Sequence, residues 1–244
     1  MTILITGSKR GLGHFLAEKF ITDKFDIITH GRENTNRDNL NALEAKFEIL
    51  CDLTDIISID EQLEILKSNN IHLHHLICNA GKSSYKSDDF ECFRKIPDAI
   101  NDNLFVVTNI IASALKDHSE TLRTVTIIGS ICGEENINGA PLEYSVSKSS
   151  LKAFTKLASK KLAKHNIRVN LLTPGNLLFE NSVWDKKKKE SLTDFNNYIT
   201  SHVPIDRIGG VDDIYNAIKF LISEESNYIT GANFIVDGGQ TNKW

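Results

Sequence analysis

The fold class that this chain of 244 residues predicts is α/β, a doubly wound domain with one seven-stranded parallel sheet flanked by helices. Three observations predict it. Seven short runs rich in Ile, Val and Leu recur, longer stretches with helical spacing separate them, and the first run leads straight into a glycine turn. The candidate strands are TILIT, FDIIT, FEILC, LHHLIC, TVTIIGS, IRVNLLTPG and NFIVDGG. Apolar runs without polar alternation suit parallel strands covered on both faces. Between them, HFLAEKFI, SIDEQLEILKS, FVVTNIIASALK, SLKAFTKLASKKLAK and DDIYNAIKFLIS repeat apolar residues at helix spacing.

No internal repeat, low-complexity tract or linker divides the chain, so residues 1–244 are read as a single domain. The segment around 176–202 interrupts the regular alternation just after the strand IRVNLLTPG. Ligands of open α/β sheets sit beyond the carboxyl ends of the strands, so this segment is placed to become a substrate lid. A surface helical hairpin is the other reading.

Composition narrows the function classes. With 41% hydrophobic and 25% charged residues, the chain is expected to fold and not to remain disordered. Lys+Arg 28 against Asp+Glu 32 gives a formal charge of −4, which offers no general attraction to nucleic acid or an anionic membrane. No apolar run approaches the length of a membrane span, and MTILITGSKRG enters a strand without a secretory leader. Cys51, Cys78, Cys92 and Cys132 form no CxxC unit, so neither a zinc knuckle nor a dithiol centre is suggested. A soluble, reducing, cytoplasmic setting is expected, with Cys78 a small buried hydrophobe. In IHLHH, His72 and His74 share a strand face and His75 takes the other; a third ligand is missing, and no metal site is expected.

TILITGSKRGLGHFLAEKF joins a strand, Gly7, Gly11 and Gly13, and a helical run. Such backbone turns tightly and lets a dinucleotide pyrophosphate approach the unsatisfied N–H groups of a helix N-terminus. The spacing is not GxGxxG. PLEYSVSKSSLKAF, ending at Phe154, predicts a helix whose apolar side is covered by Leu142, Val146, Leu151 and Phe154. Tyr144 and Lys148 stand one turn apart on it, about 5–6 Å between Cβ atoms, where a proton donor and a cation can act on one substrate. A pair on a solvated surface has the same spacing.

The loop TGxxxGxG resembles the cofactor loop of the short-chain dehydrogenase/reductase family. Further matches follow in that family's order: Asp52 in CDL, the NAG of Asn79, Ala80 and Gly81, Asn103, Ser130, Tyr144 with Lys148, Pro174 and Gly175, and the late YITGANFIVDGG. They span nearly the whole chain. The resemblance implies a Rossmann-like fold and reversible hydride transfer between a nicotinamide cofactor and a ketone or secondary alcohol. It implies a cofactor site of Gly7, Lys9, Arg10, Gly11, Leu12, Gly13, Arg32, Asp52, Leu53, Asn79, Ala80, Gly81, Tyr144, Lys148, Pro174, Gly175 and Leu177. Asp52 would receive the adenine amino group.

An acid at the end of the second strand would bind the adenosine ribose, whereas an Arg accommodates a 2′-phosphate. In FDIITHGREN, Gly31 takes the acid position and Arg32 follows it; Arg10 precedes the second loop glycine, and Lys9 adds diffuse positive charge. These favour NADP(H). Alternatively, Glu33 after a small register shift takes the ribose hydroxyls of NAD(H).

The implied catalytic set is Asn103, Ser130, Tyr144 and Lys148. Tyr144 would give a proton to the carbonyl oxygen, Ser130 would hydrogen-bond that oxygen, and Lys148 would contact the ribose hydroxyls. Lys148, together with the oxidised nicotinamide, is expected to lower the Tyr144 pKa by roughly two to three units from about 10. Asn103 would hold a water, or else act as a backbone-bonding amide; Asn79 could equally stabilise a turn.

The chain departs from the family where a Thr commonly follows PG: Phe179 stands near that position, with Ser182 a later substitute. Phe179 is either a lid core aromatic or a substrate contact, and Trp184 joins Ser130 and Tyr144 as a substrate contact. Lys186, Lys187, Lys188 and Lys189 make the lid basic, either to steer an anionic or carrier-bound substrate or as a solvated face. Two substrate classes stay open, a 3-oxoacyl thioester and a small polar keto compound or sugar. The resemblance also implies a homodimer or homotetramer through the helices around Phe105–Leu115 and Leu151–Ala163. A nucleotide-binding regulatory protein without turnover is the alternative function.

Overall fold

Strands and helices alternate in chain order as β1 (Thr2–Ile5), α1 (Gly11–Thr22), β2 (Asp26–Gly31), β3 (Phe47–Leu50), α2 (Ile56–Ser68), β4 (His75–Cys78), α3 (Glu91–Ile100), α4 (Val106–His118), β5 (Thr124–Ile128), α5 (Leu142–Leu162), β6 (Arg168–Pro174), α6 (Val183–Glu190), α7 (Leu192–His202), α8 (Val211–Ile222) and β7 (Asn233–Val236). The structure, a computed structural model, describes residues 1–32, 43–83, 85 and 90–242. All seven strands pair in parallel in the order β3-β2-β1-β4-β5-β6-β7. The chain therefore has the doubly wound, Rossmann-like sheet that its strand pattern predicts.

Alternation along each strand divides the core in two. Leu4, Ile28, Leu76, Val125 and Val169 join the residues of α2, α4 and α5 on one face. Ile3, Ile5, Ile27, Ile77 and Leu172 join those of α1 and α8 on the other. Both faces of a parallel sheet are thus covered, which is why its strands read as unbroken apolar runs.

Polar groups fix the ends of the elements. Asp55 caps α2 by accepting from the N–H groups of Ile57 and Ser58. The Arg168 guanidinium at the start of β6 donates to the carbonyls of Leu221 and Ser223, 2.9 and 3.0 Å away, and to the Ser226 hydroxyl at 3.0 Å. Those are carbonyls a helix C-terminus leaves unpaired. No helix among the described residues is long and apolar enough to cross a membrane.

Three details differ from the sequence expectation. α3 has no counterpart in the sequence pattern, because ECFRKIPDAI contains Pro97 and buries only Ala99; it continues through a π-helical stretch, Asn101–Phe105, into α4. β4 begins at His75, so His72 and His74 lie before the strand; His74 Nδ1 accepts from Thr2 N–H at 3.1 Å. Third, Leu142 and Val146 do not cover an apolar side of α5, since they are 40% and 41% exposed. The buried face of α5 is instead largely polar: Glu143, Ser147, Lys148, Thr155 and Ser159, with Leu151 and Leu162.

Phe20 anchors α1 on the second core, fully buried, with ring centroids 5.5 Å from Phe25 and 4.7 Å from Tyr215. Phe20→Ala is expected to reduce unfolding free energy by about 3–5 kcal/mol, read from urea denaturation.

Candidate active site

The strand order reverses between β1 and β4, and ligands of open α/β sheets bind beyond the strand ends at such a switch point. The two loops that leave these strands are joined there by Thr6. Its hydroxyl accepts from the N–H groups of Asn79 and Ala80, each at 2.9 Å. Asn79 returns the contact through its side-chain amide, which donates to Thr6 O at 3.0 Å and Gly7 O at 3.4 Å. Asn79 is thus a turn-holding residue, and its partner Thr6 is the first residue of the TGxxxGxG loop.

The glycine loop fits a dinucleotide phosphate. Gly7 and Gly11 have φ of +67° and +58°, in the left-handed region that favours glycine. A β-carbon on Gly13 would lie 2.5 Å from both Gly7 O and Asn79 Nδ2, so only glycine lets α1 start this close to the loop. Arg10 precedes α1 without a side-chain cap, and the first turn of α1 carries no acidic residue. The helix N-terminus therefore presents N–H groups without a carboxylate, the arrangement an anion requires. Leu12 packs against the α1/α8 core, and Leu53 is buried beside Asp52.

Beside the glycine loop, Arg10 and Arg32 are exposed and rise from the loops of adjacent strands. Arg32 lies 3.9 Å from the Asp52 carboxylate. Asp52 Oδ1 accepts from Thr54 N–H and hydroxyl, which hold its pKa below the usual carboxylate range. Lys9 departs from expectation: it is buried, its ammonium 3.6 Å from Glu48, so it supplies no free positive charge. Its aliphatic stem lies over Gly31, where a side chain would run into it. Glu33 lies outside the described residues.

Ser130 follows β5 in extended conformation and begins a single 3₁₀ turn, Ile131–Gly133, its hydroxyl accepting from Cys132 N–H at 3.2 Å. A β-carbon on Gly133 would lie 2.7 Å from the Lys148 carbonyl carbon, so this turn sits directly on α5. That contact brings the Ser130 hydroxyl beside the Tyr144 phenol, where it favours ionisation. Lys148 is buried, its ammonium donating to Ile128 O at 2.9 Å and standing 5.9 Å from the Tyr144 ring centroid.

Burial dominates both titrations. It pushes the Tyr144 phenol up to about 12, against a smaller lowering by Ser130, and pushes Lys148 down to about 8. The chain's own groups thus do not lower the tyrosine pKa as the sequence suggests, because the phenolate loses more by leaving water than the Ser130 hydroxyl returns. At neutral pH Tyr144 is a phenol and Lys148 a cation.

Asn103 is fully buried in the π-helical stretch. Its Oδ1 accepts from Lys82 N–H at 3.2 Å, and its amide nitrogen donates to Lys82 O, Tyr85 Oη and Ala99 O at 3.1, 3.2 and 3.1 Å. The side chain is a backbone-bonding amide that holds the turn after Gly81. A β-carbon on Gly81 would meet Asn103 Oδ1 at 2.6 Å and Lys148 Nζ at 3.7 Å, which places all three together. Tyr85, which donates to Asp102 at 3.1 Å, is a neighbour that no local pattern marks.

Pro174 ends β6, and a side chain on Gly175 would collide with Asp237 and Gln240. Asn176 next to it donates to Tyr198 Oη at 2.8 Å and to Gln240 Oε1 at 2.7 Å, joining α7 to the C-terminal segment. Leu177 bridges to Gly209. Phe179 packs beside Gly11 with its ring 5.8 Å from Phe15, on the outer side of α1. Ser182 caps α6, accepting from Asp185 N–H at 3.0 Å, and is not a substitute cofactor ligand. Trp184 is enclosed with Phe195, Val203 and Ile208 in a satellite core, its ring centroid 4.3 Å from that of Tyr198 at a tilt of 44°, so its ring supports the segment instead of facing a substrate.

A family described as enoyl-(acyl carrier protein) reductase matches residues 7–241. A 3-oxoacyl-[acyl-carrier-protein] reductase of Buchnera aphidicola subsp. Schizaphis graminum is 30% identical, over 98% of this chain and 96% of that one. Among solved structures, a short-chain dehydrogenase of Leptospira borgpetersenii with bound NAD+ superposes with a TM-score of 0.84 at 25% identity, covering 99% of this chain and 92% of its own. The L-sorbose reductase of Gluconobacter frateurii, solved with NADPH and L-sorbose, has a TM-score of 0.84 at 23% identity over 100% and 97% of the two chains. The chain belongs to the short-chain dehydrogenase/reductase family and is a ketone-reducing oxidoreductase of it.

The charge on Lys148 sets an expected pH dependence. kcat/KM reports the groups of the free enzyme and is expected to fall as pH rises through about 8, where Lys148 loses its proton. Initial rates at constant ionic strength across that range check it; a profile flat to well above that pH argues against a required ammonium.

Proposed function

We propose that this chain uses NADPH to reduce the keto group of a 3-oxoacyl thioester presented by an acidic acyl carrier, with Tyr144 as the proton donor. The observation that carries the proposal is the buried Lys148 ammonium, 2.9 Å from Ile128 O and 5.9 Å from the Tyr144 ring, with the Ser130 hydroxyl beside that tyrosine. Bound in the cradle, the reduced dinucleotide supplies hydride to the carbonyl carbon.

The chain's own residues do the rest. Gly7, Gly11 and Gly13 with the α1 N-terminus hold the pyrophosphate, Arg10 and Arg32 the 2′-phosphate, and Asp52 the adenine amino group. Asn79, Ala80, Gly81, Pro174, Gly175 and Leu177 line the remaining cradle. Tyr144, protonated at neutral pH, donates its proton to the carbonyl oxygen, and the Ser130 hydroxyl hydrogen-bonds that oxygen as charge develops on it. Lys148 then faces the phenolate and stabilises it. Asn103 keeps the turn after Gly81 in place.

The thioester half of the proposal is supported by the acyl-carrier reductase named among the relatives and by α6. Lys187 lies over the Trp184 ring at 4.4 Å and Lys188 over Phe195 at 5.6 Å, with all four lysines of the run exposed. Apolar stems on a rigid aromatic base keep the ammonium heads in solvent, where they can meet carboxylates. The segment around 176–202 is the lid in this scheme. Phe105 and Leu157, 49% and 65% exposed, are the apolar surface on which a second copy would pack, which solution mass would show.

Tyr144→Phe is expected to lower kcat by about 10²–10⁴-fold while NADPH binding, followed calorimetrically, is retained; full turnover would remove the proton donor from the mechanism. NADPH should be preferred over NADH by at least about tenfold in kcat/KM, equivalent to about 1.4 kcal/mol. Replacing Lys186 and Lys187 by Glu should raise KM for acetoacetyl carrier protein and leave KM for the uncharged acetoacetyl-N-acetylcysteamine unchanged. Dinucleotide binding without oxidation of NADPH by any ketone would favour a regulatory protein.

A further inference from the structure

His30 is an unused histidine at the cofactor end, and its contacts are more specific than packing requires. It lies on β2, 4% exposed, between the strands that lead to the glycine loop and to the Cys51–Asp52 turn. Gly7 N–H donates to its Nδ1 at 3.0 Å, and its Nε2 lies 3.2 Å from Cys51 O. The backbone on both sides is also taken: Ser8 N–H donates to His30 O at 2.9 Å, and His30 N–H donates to Ser8 Oγ at 2.8 Å.

These partners fix the tautomer. A backbone N–H only donates, so Nδ1 must be the acceptor; a carbonyl only accepts, so Nε2 must carry the hydrogen. The charged ring would turn a second donor against Gly7 N–H. Burial excludes that state, holding the imidazole pKa at about 4 although the Asp52 carboxylate nearby favours the cation. The ring is therefore a neutral strut with one end on the phosphate loop and the other on the turn that carries Asp52.

We infer that His30 is a positioning residue for the dinucleotide: its ring, braced on Cys51 O, sets the Gly7 peptide through Nδ1, and that contact is the one on which affinity depends. Gly7 has φ of +67° and no side chain, so its orientation is set by its neighbours. Asn79 Nδ2 holds its carbonyl from one side and His30 holds its N–H from the other. Arg32 and Asp52, which flank the far end of the strut, are the groups assigned to the adenosine half. The inference rests on the dinucleotide cradle proposed above.

The test separates the two ends of the ring. In His30→Asn the amide oxygen can take the place of Nδ1 and keep the Gly7 contact; in His30→Gln the amide nitrogen can take the place of Nε2 and keep the Cys51 contact. Calorimetric titration with NADPH should show His30→Gln weakened about tenfold, the size of one buried hydrogen bond, with KM for NADPH raised equally and kcat at saturating NADPH unchanged. His30→Asn should recover most of that affinity at a melting temperature no higher than that of His30→Gln. Equal weakening of both variants, or NADPH affinity that follows melting temperature alone, overturns the inference in favour of packing. Nitrogen NMR of the unsubstituted protein gives a check that needs no variant to fold: an Nε2–H ring supports the strut, and an Nδ1–H or charged ring at neutral pH overturns it. Failure of the unsubstituted protein to bind NADPH or NADH would overturn the cradle itself, whereas intact binding with indifferent variants overturns the role of His30 alone.

Discussion

Removing an ammonium from water costs several kcal/mol unless the protein gives it partners, and Lys148 is held in a buried position with the carbonyl of Ile128 2.9 Å away. Ile128 is the last residue of β5, so the sheet itself sets where the charge sits. The rest of the site is built around that position. Gly133 allows the Ser130 turn to lie on the α5 backbone, Gly81 leaves room for Asn103 and the ammonium, and α5 buries a polar face where an ordinary surface helix would bury an apolar one. The basicity given up by the lysine and the acidity given up by the tyrosine follow from the same exclusion of water.

The cofactor end is assembled by hydrogen bonds between loops that are distant in sequence. Thr6 joins the ends of β1 and β4, and His30 joins the glycine loop to the turn after β3. Parallel strands bring these loops to one edge of the sheet but do not fix their separation. Short polar side chains at the strand ends do, and each is buried, where a hydrogen bond left unmade costs more than the bond itself contributes.

Much of this architecture is legible in the residues alone, for physical reasons. Strands covered on both faces appear as unbroken apolar runs, and the glycine loop and the Tyr144/Lys148 pair are local patterns. What cannot be seen is whatever depends on neighbours far along the chain. α3 is hidden because Pro97 and a π-helical continuation spoil its periodicity. Leu142 and Val146 mislead because α5 turns them outward in exchange for a polar interior. Trp184 looks like a substrate contact until α7 supplies Phe195 and Tyr198 to enclose it. Lys9 looks like free charge until β3 supplies Glu48.

The lysine stem lying across Gly31 has a consequence for redesign. A protein engineer who wished to convert the chain to the unphosphorylated dinucleotide would turn first to a carboxylate at position 31, since acids there grip ribose hydroxyls. Here that graft meets the stem that occupies the space, and shortening Lys9 to clear it would remove an ammonium that stands 3.6 Å from Glu48. Position 31 is thus tied by packing and charge to Lys9 and Glu48, and a redesign there has to treat the three together.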